Sequence, residues 1–182
     1  KLVKKVFYVV SYTFVRSKFS GNNGELIPSS WDNRHLISAT LGVKFKRGYE
    51  LGVKYRYAGG SPYTPYDLVA SQQNFMLLGK GILDNTKLNT QRLQSFQQLD
   101  LRIDKKINYK KTSLDIYLDL QNAFGFKNEG NPDYLFKRNA DNTGFETTDG
   151  QPVKLDGSNA VPLVLENKSA TVVPSIGLLF EF

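Results

Sequence analysis

Residues 33–46 show the clearest pattern in the chain, a strict alternation of apolar and polar side chains. The apolar positions are Ile37, Ala39, Leu41, Val43 and Phe45. The positions between them are Ser38, Thr40, Gly42, Lys44 and Lys46. A period of two predicts a β-strand whose two faces meet different surroundings. Arg47 and Gly48 then predict a tight turn, and the alternation resumes at Tyr49, so this part of the chain should form a hairpin.

The same alternation recurs along the chain and predicts six strands in an all-β, antiparallel arrangement. Their approximate bounds are 4–18, 33–46, 49–59, 95–108, 112–125 and 170–182. Most of these strands have ~12 residues or more, whereas strands of globular proteins most often have about 5–6. That length is sufficient to cross a bilayer when the strand is tilted.

The connections between the predicted strands alternate between short and long. Tight turns at Arg47-Gly48 and Tyr109-Lys110-Lys111 contrast with polar, turn-rich segments over 19–32, 60–93 and 127–169. Short periplasmic turns and long extracellular loops are typical of outer-membrane β-barrels. The sequence therefore predicts an antiparallel transmembrane β-barrel segment whose carboxyl terminus lies on the short-turn, periplasmic side.

Composition narrows the possible functions. One domain is expected for 182 residues, and aromatic residues at 13% suit the aromatic belts of a membrane barrel. The chain contains no run of ~18 apolar residues, the length that would predict a transmembrane helix. The absence of cysteine excludes disulfides and thiolate metal sites. The net charge of +7 is spread through strands and turns rather than clustered, so we expect no nucleic-acid partner.

We expect no catalytic site, no cofactor and no metal site. His35 is the single histidine. Because it lies at the outer end of a strand beside Asp32 and Arg34, it suits a hydrogen bond to a rim loop better than a role as general base.

Charged residues of neighbouring strands share one predicted face. They are Lys44, Lys54, Arg56, Asp100, Arg102, Asp104, Asp115 and Asp119. An ionic ladder across the strands, lining a polar lumen, explains this set without catalysis.

Aromatic residues near the strand ends suit interfacial girdles, in which rings lie among lipid headgroups. This set comprises Trp31, Tyr49, Tyr109, Phe180 and Phe182. Lys105 interrupts the apolar row close to the short-turn end, where a long side chain can extend to the interface.

The ligand and its contacts are left open by the sequence. The long segments carry tyrosine and asparagine residues that suit sugars, ferric chelates and peptides equally. They include Tyr63, Tyr66, Tyr134, Asn128 and Asn131.

The last residues of the chain resemble the terminal β-signal of bacterial outer-membrane proteins. Ser175 is a polar residue, and Gly177 follows two positions later. Phe182 places an aromatic ring at the last position and Phe180 places one two positions before it. The resemblance implies that the outer-membrane assembly machinery recognises this strand.

Three further motifs resemble the carboxyl-terminal barrel of TonB-dependent receptors, in the style of the Bacteroidetes. They are Trp31-Asp32-Asn33-Arg34-His35, the segment from Tyr55 to Pro65, and Leu118-Asp119-Leu120-Gln121-Asn122-Ala123-Phe124 followed by Lys127-Asn128. The resemblance covers essentially the whole chain. It implies ligand uptake across the cell outer membrane through a barrel of about 22 strands.

Six strands do not close such a barrel, because an open sheet in lipid leaves two edges unpaired. We therefore expect the chain to be the carboxyl-terminal part of a longer receptor, not competent for transport alone. Its expected partners are outer-membrane lipid, the missing strands and plug of the receptor, the assembly machinery and, through the plug, TonB.

Two alternatives stay open. In a complete small barrel, an adhesin or a narrow pore, about eight strands are needed, so residues 72–80 and 160–166 would have to supply two more. In a soluble β-sandwich acting as a binding module, the apolar rows would have to be covered by protein.

Overall fold

The structure, a computed structural model, describes residues 2–3, 5–21 and 24–182. Its strands in chain order are β1 (Leu2–Val3), β2 (Val6–Val15), β3 (Lys18–Ser20), β4 (Leu26–Pro28), β5 (Arg34–Lys44), β6 (Tyr49–Ala58), β7 (Pro62–Tyr63), β8 (Gln91–Arg92), β9 (Phe96–Asn108), β10 (Ser113–Gln121), β11 (Asn128–Phe136), β12 (Pro162–Ser169) and β13 (Val173–Glu181). One helix, α1 (Leu68–Leu78), and two 3-10 turns, Lys46–Gly48 and Asn85–Lys87, complete the regular structure of the described residues.

The main sheet is antiparallel throughout, in the order β1-β2-β5-β6-β9-β10-β13. Its six long strands correspond one for one to the six predicted from alternation, and each pairs with the next of these strands along the chain. The prediction of an all-β, antiparallel fold is therefore confirmed. The two-residue strand β1 extends one edge of this sheet.

The pairing register carries the alternation of single strands across the whole sheet. One apolar row is Tyr8, Leu41, Val53, Leu101, Leu120 and Pro174. The adjacent row, on the other face, is Phe7, Gly42, Gly52, Arg102, Asp119 and Ser175. Because successive side chains of a strand point to opposite faces, one face of the sheet is apolar and the other is charged.

The predicted strands are longer than the observed ones at the ends that meet the long connections. Strand β10 ends at Gln121 because Asn122 adopts a left-handed conformation with φ 51°. The Asn122 side chain accepts a hydrogen bond from the Phe126 amide and donates to the Phe126 and Thr171 carbonyls. This asparagine therefore closes a turn where alternation alone predicted continued strand.

The long connections are folded, which sequence alternation did not reveal. Most of the β3–β4 hairpin, which begins at Lys18, lies within residues 19–32. Helix α1 begins where the Asp67 carboxylate accepts hydrogen bonds from the Val69 and Ala70 amides, and it ends at Gly79 in the left-handed conformation.

Two segments needed for the small-barrel alternative do not join the main sheet. Most of residues 72–80 belong to helix α1 rather than to a strand. Residues 162–166 belong to β12, which pairs with β11 in a separate hairpin. These two segments therefore do not supply two further strands to the main sheet.

The hydrophobic core lies in these connections and not against the sheet. Among the described residues the buried apolar side chains are Phe75, Tyr134, Phe136 and Ala160, which form one cluster. We call the unit around this cluster, residues 62–91 and 128–169, the cap. No helix in the described part of the chain is long and apolar enough to cross a membrane.

Two glycines of the sheet accommodate aromatic rings from the neighbouring strand. A Cβ atom at Gly177 would overlap the ring of Tyr117, its partner on β10, and one at Gly42 would overlap the ring of Phe7 on β2. The Arg102 guanidinium lies 4.0 Å from the centroid of the Tyr117 ring on the same face. A Cβ atom at Gly52, by contrast, would lie 3.7 Å from its nearest neighbour.

We predict that Gly177→Ala destabilises the chain by about 1–3 kcal/mol, because Tyr117 must leave both the glycine and Arg102. Gly52→Ala is the matched control, a strand glycine with room for a methyl group, and it should be neutral or slightly stabilising. Denaturant titration followed by tyrosine fluorescence measures both. Equal effects of the two substitutions would contradict the steric explanation.

Candidate functional site

The charged face of the sheet brings together the ionic ladder expected from sequence. Glu50 lies between Lys44 and Asp104 in one row, and Lys54 lies between Thr40 and Asp100 in another. These side chains border an open concavity of about 750 Å³.

Ion pairs along and between strands hold most of these charges. The pairs are Lys44–Glu50 at 3.6 Å, Arg56–Asp100 at 3.3 Å, Arg102–Asp104 at 2.7 Å and Lys106–Glu181 at 2.8 Å. Asp115 and Arg56 each retain a buried polar atom, Oδ1 and Nε, with no hydrogen-bond partner in the described protein. The concavity is therefore a polar surface on which most charges are paired and two buried polar atoms are not.

A buried ion pair joins four strand ends on the side of the long connections. Asp32, 1% exposed, accepts hydrogen bonds from the Ser17 amide at 3.0 Å and from the Arg92 guanidinium at 2.5 Å. Arg92 also donates to the backbone carbonyls of Asp32 and Gly60. Ser17 follows β2, Asp32 precedes β5, Gly60 follows β6 and Arg92 precedes β9. One guanidinium and one carboxylate therefore hold these four strand ends together. We call this pair the latch.

The electrostatics of the latch favour the charged form of Asp32. Burial raises the pKa of this carboxyl, but the hydrogen bonds from Ser17 and Arg92 and the charges of Arg92 and Arg16 outweigh burial and lower the pKa below 3.8. Asp32, which the sequence placed beside a rim histidine, is therefore held as a carboxylate by structure.

The two motifs before β5 and after β6 meet beside the latch. Ser61 donates a 2.7 Å hydrogen bond to the Asn33 side chain. A Cβ atom at Gly60 would overlap the carbonyl of Leu93, and one at Gly59 the carbonyl of Asn33. The residue types of these motifs thus follow from close backbone packing at the strand ends.

The cap separates the loop residues named from sequence into two groups. Tyr134 is 3% exposed in the hydrophobic cluster, and Asn128 exchanges hydrogen bonds with the backbone of Gln97, so both serve the fold. Tyr63, Tyr66 and Asn131 instead line a second open cleft of about 700 Å³.

His35 lies apart from the latch carboxylate. Its Nδ1 is 2.9 Å from the Tyr12 hydroxyl, and its ring contacts Phe14 at a centroid distance of 5.3 Å. The sequence predicted a hydrogen bond from this histidine to a rim loop, but His35 contacts the adjacent strand β2 instead. In the described residues no group of three or more histidine or carboxylate side chains is placed to hold a metal ion.

The terminal residues divide between the two faces. Ser175 and Gly177 lie in rows of the charged face, opposite Asp119 and Tyr117. Phe180 and Phe182 are 56% and 99% exposed, with ring centroids 6.2 Å apart. Assembly recognition stays a prediction, and Gly177 has in addition the packing role described above.

The expected girdle residues all have exposed rings. Trp31 lies at the cap end of the sheet, whereas Tyr49, Tyr109, Phe180 and Phe182 lie at the short-turn end. Lys105 also lies at that end, with its amine 4.0 Å from the centroid of the Tyr49 ring and hydrogen-bonded to the Arg47 carbonyl.

Sequence reasoning missed Arg92 and the cap cluster. Arg92 lies shortly before β9, and nothing in the neighbouring sequence distinguishes it. Its partner Asp32 is 60 residues away, so no local pattern marks the pair. No family model, curated protein or solved structure matches the chain.

We predict that Arg92→Ala lowers the free energy of unfolding by about 3–5 kcal/mol, because it leaves the buried Asp32 carboxylate without its main partner. Lys137→Ala, which breaks the exposed 2.8 Å pair with Glu146, is the control and should change little. Denaturant titration compares them. A loss no larger than that of the control would show that the latch does not stabilise the strand ends.

The latch also predicts an acid dependence of stability. Because folding lowers the pKa of Asp32 below 3.8, its stabilising contribution is complete above that unfolded value and is lost as the pH falls through the folded one. Asp32→Asn should be less stable near neutral pH and should lose this part of the acid dependence. Free energies of unfolding measured from neutral to strongly acidic pH test this; parallel curves for the two proteins would contradict it.

Proposed function

We propose that the chain forms part of a TonB-dependent receptor of the outer membrane, where its six long strands contribute to the barrel through which a ligand is taken up. The observation that carries the proposal is the sheet, which in the described residues is a single layer with one largely apolar face and one charged face. A membrane barrel supplies the two environments that such a sheet requires, lipid outside and water inside.

The exposure of the apolar face supports lipid as its environment. Ile103, Leu118, Ile176 and Leu178 are 50%, 44%, 78% and 70% exposed. A soluble sandwich would require a second sheet over these side chains, and within the described residues no second sheet covers them. Burial in hydrocarbon removes this apolar surface from water.

The two ends of the sheet differ in a way that supports one orientation of the sheet in the outer membrane. The folded cap and the latch lie at one end, and the turns at Lys46–Gly48 and residues 109–112 lie at the other. In outer-membrane barrels the elaborate connections face outward and the short turns face the periplasm. The cap is then the ligand-facing part, and the second cleft with Tyr63 and Tyr66 belongs to that surface.

The edges of the sheet support a longer barrel. Among the described residues only two pair with the outer edge of β2, and none pairs with the outer edge of β13. Unpaired backbone groups are costly in lipid. We infer that further strands of the receptor pair with both edges, and that the receptor's plug faces the charged concavity and contacts TonB.

The intact mass of the native polypeptide in isolated outer membranes tests this proposal. A mass several times 20.6 kDa, for a polypeptide that contains this sequence, is the expected result. A mass near 20.6 kDa would contradict the assignment to a large single-chain receptor, and loss of the polypeptide from the outer-membrane fraction would contradict the membrane location.

Matched substitutions on the two faces give a further prediction. Leu41→Arg places a charge on the apolar face and should cost about 2–4 kcal/mol of folding in bilayers, as lipid-facing arginine does near the midplane. Thr40→Arg, one residue away on the charged face, should be tolerated. Folded fractions in vesicles measure both. If Leu41→Arg instead folds well and improves solubility in water, the apolar face does not contact lipid.

A further inference from the structure

The net charge of the chain is concentrated at one end of the sheet. The segments 16–34, 67–92 and 127–168, at the cap end, contain eleven lysines and arginines and eleven carboxylates. The middle of the charged face is also balanced, with Lys54, Arg56 and Arg102 against Asp100, Asp104 and Asp119. Among the described residues the excess of positive charge therefore lies at the short-turn end, whereas the sequence analysis expected charge spread through strands and turns.

Eight described cations occupy the short-turn end against three carboxylates, and Lys1 and Lys4 lie outside the described residues. Lys44 pairs with Glu50 and Lys106 with Glu181. The other six cations make no ion pair in the described structure. We call these six the basic rim: Lys5, Lys46, Arg47, Lys105, Lys110 and Lys111.

The basic rim is continuous along the sheet end. The Lys44 amide donates a hydrogen bond to the Lys5 carbonyl, which places Lys5, in the turn before β2, beside the turn at Lys46–Gly48. Lys105 donates to the Arg47 carbonyl, which joins the turn at Lys46–Gly48 to β9. Lys110 and Lys111 form the next turn, closed by a 2.8 Å hydrogen bond between the Tyr109 amide and the Thr112 carbonyl.

The basic rim directly borders the apolar face. The exposed rings of Phe45, Tyr49, Tyr109 and Phe182 lie at the same sheet end. Lys105 lies over one of them, Tyr49, with its amine directed to the turn. Aromatic rings beside long cationic side chains, at the limit of an apolar surface, are suited to the boundary between hydrocarbon and headgroups.

We propose that the basic rim binds the phosphate groups of anionic phospholipids in the leaflet at the short-turn end. This rests on the proposed membrane function. Charge complementarity supports the assignment, because the rim cations have no carboxylate partners in the described structure. Nucleic acid shares the phosphate chemistry, but a duplex at the rim would leave the bordering aromatic rings in water.

The test is flotation of the 182-residue chain with two kinds of vesicle, pure phosphatidylcholine and an equal mixture with phosphatidylglycerol. We expect stronger partitioning onto the mixed vesicles, and the difference should shrink as salt is added. Lys110→Gln/Lys111→Gln should weaken partitioning onto the mixed vesicles by about 25-fold, since each cation near an anionic surface contributes about fivefold. Partitioning onto phosphatidylcholine should not change.

The control is Lys80→Gln/Lys127→Gln, which removes two exposed cations from the opposite end and should leave both values unchanged. Lys46→Gln gives a second rim variant, expected to lose about fivefold on mixed vesicles alone. Equal partitioning onto the two kinds of vesicle would overturn the lipid assignment but leave the membrane proposal standing. Absence of binding to either would also overturn the lipid assignment, while the membrane proposal is tested separately by the outer-membrane fraction. Salt-sensitive binding of a duplex oligonucleotide that competes with the mixed vesicles would assign the rim to nucleic acid instead.

Discussion

The structure depends on one constraint: a strand shows alternate residues to opposite faces, and no second layer of described residues covers either face of this sheet. Every long strand therefore has to satisfy two environments at once. The register extends this division across six strands, so that apolar and charged rows alternate, with Lys105 as a charged member of an apolar row near the short-turn end. The hydrophobic cluster consequently lies outside the sheet, in the cap, and the backbone edges of β2 and β13 are left as the places where further pairing can occur.

The latch follows from that arrangement. A sheet without a packed core has little besides backbone hydrogen bonds to fix its strand ends, so the ends need side-chain interactions of their own. Asp32 and Arg92 supply them at the cap end with one carboxylate and one guanidinium. Gln94 and Gln97 then connect the start of β9 to Glu129 and Asn128 of the cap. These hydrogen bonds thus fix the position of the cap relative to the start of β9.

The sequence was sufficient for the features that repeat with a period of two. It located all six long strands, their order and the shared face of the ionic ladder, because alternation is a local property that the register only extends. It was insufficient for the cap. Helix α1 has exposed leucines at Leu68, Leu77 and Leu78 and buries Ser71 beside Phe75, so its apolar residues do not mark one face. Tyr134 and Tyr66 look alike in sequence, and only packing separates the buried ring from the one in the cleft.

The uneven charge has a cost that the isolated chain does not offset. On the charged face, cations and carboxylates alternate within a few ångströms and mostly pair, whereas the six cations of the basic rim repel one another across three adjacent turns. Like charges held close together destabilise a folded chain unless an opposite charge lies nearby. At the cap end the two signs are equal in number, so the asymmetry is not a general property of the surface. A bilayer whose headgroups carry negative charge would relieve the repulsion at the one end where it occurs, and in doing so it would favour a single direction of insertion for the sheet.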